Sequence, residues 1–218
     1  MNLKEYIPIW DKLTIFQQQQ LENASAPQHF SKGSLLHNGS ADCTGLILVV
    51  SGQLRAYTIS DEGREITIYR LFERDICLFS ASCMLNSLQF DITIEAEKDT
   101  DIILISPTVY KQIMEVSAPL ANFTNEIMAS RLSEVMWLID QILWKSFDKR
   151  LADFLINEAN IEGTNTLKTT HETIGNHLGS PREVVTRMLK YFQNEGMVTL
   201  SRGTIELTNV EKLEQILD

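Results

Sequence analysis

The sequence predicts an α+β chain with an antiparallel β domain first, a long helix in the middle and a winged helix-turn-helix unit last. Three observations predict it. Between Gln28 and Ile105 short apolar or alternating runs recur about every 8–12 residues with turn residues between them, the pattern of an antiparallel sandwich or barrel. From Pro119 to about Lys145 apolar residues repeat at helical spacing. The stretch GSPREVVTRMLKYFQ, Gly179 to Gln193, then opens a second helix almost directly after a first one.

Residues 1–22 read as short helical pieces ending in a Gln-rich turn. The strand runs are FSKGSLL, TGLILVVSG, QLRAYTI, EITIYRLF, FDITIEAE and TDIILI, punctuated by KG, NGSAD, SGQ and SDEG. Pro107 changes the regime: residues 108–116 suit one or two helical turns, and Pro119 restarts a long helix. In that helix Ala121, Asn125, Met128, Leu132, Val135, Ile139 and Ile142 follow one another at spacings of 4 and 3, a heptad-like seam. Leu120, Phe123, Ile127, Leu138, Leu143 and Trp144 form a second stripe. A helix with two apolar sides must be covered twice, most simply by the β domain and by a second copy of itself. Another helix is expected over Asp148 to Asn157, followed by the polar connection NIEGTNTLK.

Thr169-Thr170-His171-Glu172 reads as a capping box, and Gly179 as a helix stop. Ser180 is the expected N-cap of the next helix, with Pro181 at its first position and Glu183 closing a second box. Two helices joined so tightly cross sharply, the geometry of a helix-turn-helix. In the second helix Val185, Met188, Leu189 and Phe192 line one side, and Arg182, Glu183, Thr186, Arg187 and Lys190 the other. Arginine pairs bidentately with guanine O6/N7 in a major groove, and glutamate accepts from cytosine N4. MVTL and TIEL then flank SRG, a hairpin that puts Arg202 at its tip. His171 and His177 flank the first helix and suit polar surface roles.

Charge restricts this reading without excluding it. The 218 residues carry 19 Lys+Arg against 29 Asp+Glu, a net −10. Within 168–203, however, Lys168, Arg182, Arg187, Lys190 and Arg202 outnumber Glu172, Glu183 and Glu195. Non-specific DNA affinity rests on phosphate neutralisation, so bulk DNA should bind weakly and a small aimed cationic face must do the rest. The start, MNLKEYIPIW, lacks a basic region followed by an apolar run, and Leu46 to Val50, an apolar run as long as any in the chain, is too short to cross a bilayer. Cys43, Cys77 and Cys83 form no CxxC, and reduced thiols in a cytoplasmic protein are expected.

With these residues in view, the chain resembles the Crp/Fnr family of bacterial transcription regulators. FSKGSLLHNG, ILVVSGQLRAY, the DEGRE turn and GSPREVVTRMLK carry the resemblance, which spans about residues 10 to 210. It implies a jelly-roll-like β-roll with short N-terminal helices over 1–118, a dimerisation helix over 119–146 and a winged helix-turn-helix over 147–218. It also implies a homodimer on a palindromic double-stranded operator, and RNA polymerase as a further partner if the protein activates. Arg182, Glu183 and Arg187 keep the family's base-reading pattern, which implies TGTGA-like half-sites. Thr186 departs from that pattern. Thr170, Ser180, Thr186, Lys190 and Arg202 are candidate backbone contacts, and Met128, Leu132, Val135, Ile139 and Ile142 the expected dimer seam.

Family members differ in what they sense. Cyclic-nucleotide receptors of the family hold the phosphate with an Arg-Ser pair, where this chain reads Phe90-Asp91, and meet the purine with a Thr-Ser pair, where it reads Val135-Met136. A phosphate beside Asp91 without arginine is repelled and unpaired. The sequence therefore argues against cyclic AMP. Iron–sulfur members use four cysteines, three near the N-terminus; this chain has three in all, none before residue 43, so no cluster is expected. For haem, His29, His37 and the cysteines show no arrangement that singles out an axial ligand. Leu71, Leu78, Phe79, Phe90, Val135 and Met136 instead suit a hydrophobic or weakly polar small-molecule effector. Ligand-independent control and thiol redox at Cys77 and Cys83 are the alternatives. An enzyme of cupin type would need clustered metal ligands, and the N-terminal part offers only His29 and His37; neither metal nor catalysis is expected.

Overall fold

The computed structural model describes residues 3–39, 43–84 and 91–217, the side chains of 82–84 excepted. The chain divides into two compact units, Met1–Thr58 with Ile68–Val135, and Ile59–Thr67 with Met136–Asp218.

The first unit begins with two short 3-10 segments, Leu3–Glu5 and Trp10–Lys12, and with helix α1, Ile15–Asn23. Thr14 caps α1 in a full capping box with Gln17, so the glutamines form helix, where a turn was expected. The strands follow as β1 (Ser25–Phe30), β2 (Leu35–Asn38), β3 (Leu46–Ser51), β4 (Leu54–Ile59), β5 (Glu65–Leu71), β6 (Ile76–Cys77), β7 (Thr93–Ala96) and β8 (Thr100–Ile105). They make two four-stranded sheets, ordered β1-β8-β3-β6 and β2-β7-β4-β5. FSKGSLL is not one strand, as expected from its apolar ends, but the end of β1, a turn through Gly33 at φ +83° and the start of β2. Strand β1 was not anticipated; its SAPQHF is largely exposed and carries Pro27, which an edge strand tolerates.

Strand β3 shows why the unit holds together. Leu46 and Leu48 enter a core shared with Leu3, Ile7, Trp10 and Leu21, while Ile47 and Val49 face Leu54, Ala56, Ile94 and Ile102 between the sheets. Both faces of the strand are dry, so its side chains are apolar without alternation. Each such burial contributes about 1.5–3 kcal/mol.

Helices α2 (Pro107–Val116) and α3 (Ala118–Trp144) come next. On α3, Leu120 is fully buried, and Thr124 donates to the Leu120 carbonyl and bonds the Tyr110 hydroxyl at 2.9 Å. Burial pushes the Tyr110 pKa up to about 12. Arg131 is also buried: its guanidinium holds both Glu134 oxygens at 2.8 and 2.7 Å, reaches Asp75 at 3.6 Å and lies over the Tyr69 ring. Burial opposes its charge, but the carboxylates prevail and raise its pKa.

The exposed side of α3 carries Leu132, Met136, Ile139 and Leu143, at 63, 56, 41 and 64% exposure and spacings of 4, 3 and 4. Of the expected seam, Leu132, Ile139 and Ile142 are exposed, whereas Met128 packs on the first unit's cores and Val135 is half-buried. The apolar stripe left uncovered is thus turned toward Met136 and Leu143.

The second unit contains α4 (Phe147–Glu162), β9 (Thr166–Leu167), α5 (His171–Leu178), α6 (Arg182–Asn194), β10 (Val198–Ser201), β11 (Thr204–Leu207) and α7 (Val210–Leu217). The strands pair in the order β10-β11-β9. Leu151, Leu155, Ile174, Val185, Leu189, Phe192 and Leu213 share its core. Helix α4 runs on to Glu162, where Gly163 at φ +65° ends it, later than expected.

Cys43 is disulfide-bonded, contrary to the expectation of reduced thiols, and Cys77 is free and fully buried. Pairing depends on approach in the fold, which spacing along the chain does not report. The Cys83 side chain lies outside the described residues.

Candidate nucleic-acid interface

Helix α5 starts one residue later than the expected box. Thr170 is its N-cap and accepts from the Thr173 amide at 3.0 Å; Thr173, not Glu172, occupies the third position. At its other end Gly179, at φ +64°, is the left-handed C-cap and donates to the Gly175 carbonyl. The Ser180 amide bonds the same carbonyl at 3.0 Å. Ser180 is thereby tied to the end of α5 and does not cap α6. Pro181 holds the N-cap place instead, with no side-chain cap. The turn is tight enough that a Cβ on Gly175 would lie 2.5 Å from the Ser180 carbonyl oxygen. Arg150 closes the corner, its guanidinium donating to the Leu178 carbonyl at 3.2 Å, and burial lowers its pKa.

Helix α6 turns Val185, Leu189 and Phe192 into the core at 0% exposure. Arg182, Glu183, Arg187 and Lys190 are exposed on its opposite side. With Thr186, Tyr191 and Asn194 they line an open concavity of about 590 Å³. Tyr191 and Asn194 were missed, though they lie four residues beyond Arg187 and Lys190 and so on the same helical face. Arg182 and Lys190 also act on His171, whose pKa is held below its ordinary value first by burial and then by these two cations. Arg202 sits exposed in the turn between β10 and β11, next to Gly203 at φ +71°.

His177 is not a surface residue. It is 8% exposed, packs on the Phe154 ring with centroids 5.2 Å apart and bonds the Thr67 hydroxyl at 2.8 Å. Its position on α5, three residues after Ile174, puts it on the core face.

The described residues among the expected effector set are spread over two cores of the first unit and helix α3. Leu78 belongs to one core of the first unit; Leu71 and Phe79 belong to the other. Val135 is half-buried and Met136 exposed, and Phe90 lies outside the described residues. A concavity of about 530 Å³ in that unit is lined by other residues, among them Tyr6, Asp75, Phe123, Glu126 and Arg131. No group of three potential metal ligands occurs among the described residues, and no helix described is long and apolar enough to cross a membrane.

A double-sheet β domain, a long helix and a winged helix-turn-helix with an exposed cationic face define a DNA-binding transcription regulator. Residues 149–216 match the Crp-like helix-turn-helix domain, and residues 27–117 the cyclic nucleotide-binding domain. A Crp/Fnr-family transcriptional regulator of Eubacterium rectale is 60% identical, and its structure superposes with a TM-score of 0.96 over 98% of this chain and 99% of that one. The fumarate and nitrate reduction regulatory protein of Yersinia pestis is 26% identical over 209 residues, 90% of this chain and 81% of its own length. The global nitrogen regulator of Synechococcus elongatus is 25% identical over 215 residues, 93% and 95% of the two chains. The chain belongs to the Crp/Fnr family, whose members are transcription regulators and not enzymes.

Proposed function

We propose that the protein is a cytoplasmic homodimer that reads a palindrome of TGTGA-like half-sites by inserting α6 of each protomer into a major groove. The observation that carries this reading is the exposed face of α6. Arg182, Glu183 and Arg187 stand together there, and none of the ion pairs between described residues engages them. Arg182 and Arg187 are placed for guanine edges and Glu183 for cytosine N4, each good pair discriminating by about 1–3 kcal/mol. Thr170, Lys190 and Arg202 flank them as phosphate contacts. Ser180, half-buried with its amide spent on α5, is the weakest member of that set.

The uncovered stripe of Leu132, Met136, Ile139 and Leu143 supports dimerisation through α3, since apolar residues at heptad spacing are stable in water only when a partner helix covers them. Two-fold symmetry then sets the half-sites roughly 34–36 Å apart.

The regulatory signal is a neutral, hydrophobic or weakly polar small molecule held by the β domain. The charge pattern supports it: Arg70 is paired with Glu97 at 2.9 Å and Arg131 with Glu134 and Asp75, so each of these cations already stands beside carboxylate that would repel a phosphate. A thermal-shift screen that responded only to cyclic nucleotides would refute that part.

Fluorescence anisotropy tests DNA reading. Wild type should bind a TGTGA palindrome more tightly than a scrambled duplex at physiological salt, and Arg187→Ala should lose roughly ten-fold or more of that preference. If the full chain, with candidate effectors supplied, binds both duplexes alike, base reading by α6 is wrong.

A further inference from the structure

Thr186 faces the α6 concavity between Glu183 and Arg187 and is half-buried. Its hydroxyl donates to the Arg182 carbonyl one turn back at 2.8 Å. The same oxygen lies 2.8 Å from Nδ1 of His171, the first residue of α5. A threonine hydroxyl has a single proton. Because that proton goes to Arg182, Nδ1 of His171 carries the hydrogen and donates to the threonine oxygen. Burial, and then Arg182 and Lys190, lower the His171 pKa and so favour the neutral ring.

Two bonds of this length hold the threonine in one rotamer. With its proton committed, Thr186 cannot donate to thymine O4 or to guanine O6 or N7. Its methyl is the part it can offer a groove.

We propose that His171 is a positioning residue that locks Thr186, and that Thr186 reads a thymine through apolar contact with the C5-methyl. The inference rests on the assignment of α6 as the base-reading helix. It names the base type recognised at the one recognition position where this chain departs from the resemblance drawn from its sequence.

The test replaces each thymidine of the palindrome in turn by deoxyuridine, which removes the methyl and keeps every hydrogen-bonding group. Wild type should bind about four-fold more weakly at one position of each half-site, the worth of one methyl-sized apolar contact. Thr186→Val keeps a methyl and should keep that dT-over-dU ratio; Thr186→Ser keeps the hydroxyl and should lose it. His171→Ala should bring the ratio toward one, and His171→Asn, whose amide nitrogen can take the place of Nδ1, should restore it. The ratio separates positioning from a loss of fold or of phosphate contact, which would weaken both duplexes equally. A ratio that survives in Thr186→Ser, vanishes in Thr186→Val or ignores His171→Ala overturns the inference. So does wild type without a dT-over-dU preference anywhere on a palindrome it otherwise selects. Wild type that does not distinguish the palindrome from the scrambled duplex refutes base reading by α6 and this inference with it.

Discussion

Replacing Gly175 by alanine strikes the turn on which the geometry of α5 and α6 depends. The new Cβ would stand 2.5 Å from the carbonyl oxygen of Ser180, where an ordinary C···O contact needs about 3.3 Å, so the backbone must open by roughly 0.8 Å. No flexible side chain can absorb that shift, because the opposing atom is main chain. Overpacking of this kind costs about 1–3 kcal/mol, and alanine in a helix returns about 0.5–1 kcal/mol over glycine. The net loss should be about 1 kcal/mol and no more than about 2.5 kcal/mol. Urea denaturation followed by circular dichroism measures it, with Gln193→Ala, an exposed α6 position, as a control expected within about 0.5 kcal/mol of wild type. Because the opened turn also moves the start of α6, affinity for the palindrome should fall more than stability alone explains. A Gly175→Ala protein as stable as wild type and equally tight on DNA would refute the close approach and its role in aiming the helix.

Other outcomes follow from the same geometry. Ile139→Asp with Leu143→Asp places two charges in the uncovered stripe of α3 and should yield monomers by sedimentation; an unchanged dimer would put the interface elsewhere. Arg131→Ala leaves Asp75 and Glu134 facing each other without their cation and should cost about 1–2 kcal/mol in denaturation, since both carboxylates are partly solvated. His171 has a folded-state pKa below its ordinary 6.5, so the unfolded chain takes up the proton first. Its contribution to stability is therefore whole above about pH 6.5 and is lost as pH falls toward the folded-state value. The melting temperature of His171→Asn should fall less than that of wild type between about pH 7.5 and 5.5, and parallel curves would contradict the burial assigned to the ring.

The parts legible in the sequence were those with local causes. The apolar face of α6, the Gly179 stop and the SRG hairpin declare themselves within a few residues, and α3 is long enough for its period to stand out. What failed depended on tertiary contact. Strand β1 has no alternation to detect because its polar residues lie on an edge. Ser180 looked like a cap but spends its amide on the Gly175 carbonyl, a bond that exists only once α5 has ended. His171 and His177 look alike in sequence, yet one bonds the Thr186 hydroxyl of α6 and the other is buried against Phe154. On α3 Met128 is taken by the first unit's cores, so the exposed apolar stripe runs through Met136 and Leu143 instead, a competition no heptad count contains.

One measurement reaches the central claim, that two copies of α6 read guanines in successive major grooves. It is 7-deazaguanine interference, in which each guanine of the palindrome in turn loses its N7 acceptor and wild-type affinity is determined. Two clusters of interfering positions are expected, one per half-site and about one helical turn apart, and they should no longer matter to Arg187→Ala. Uniform tolerance of the substitution by wild type that still selects the palindrome would contradict it.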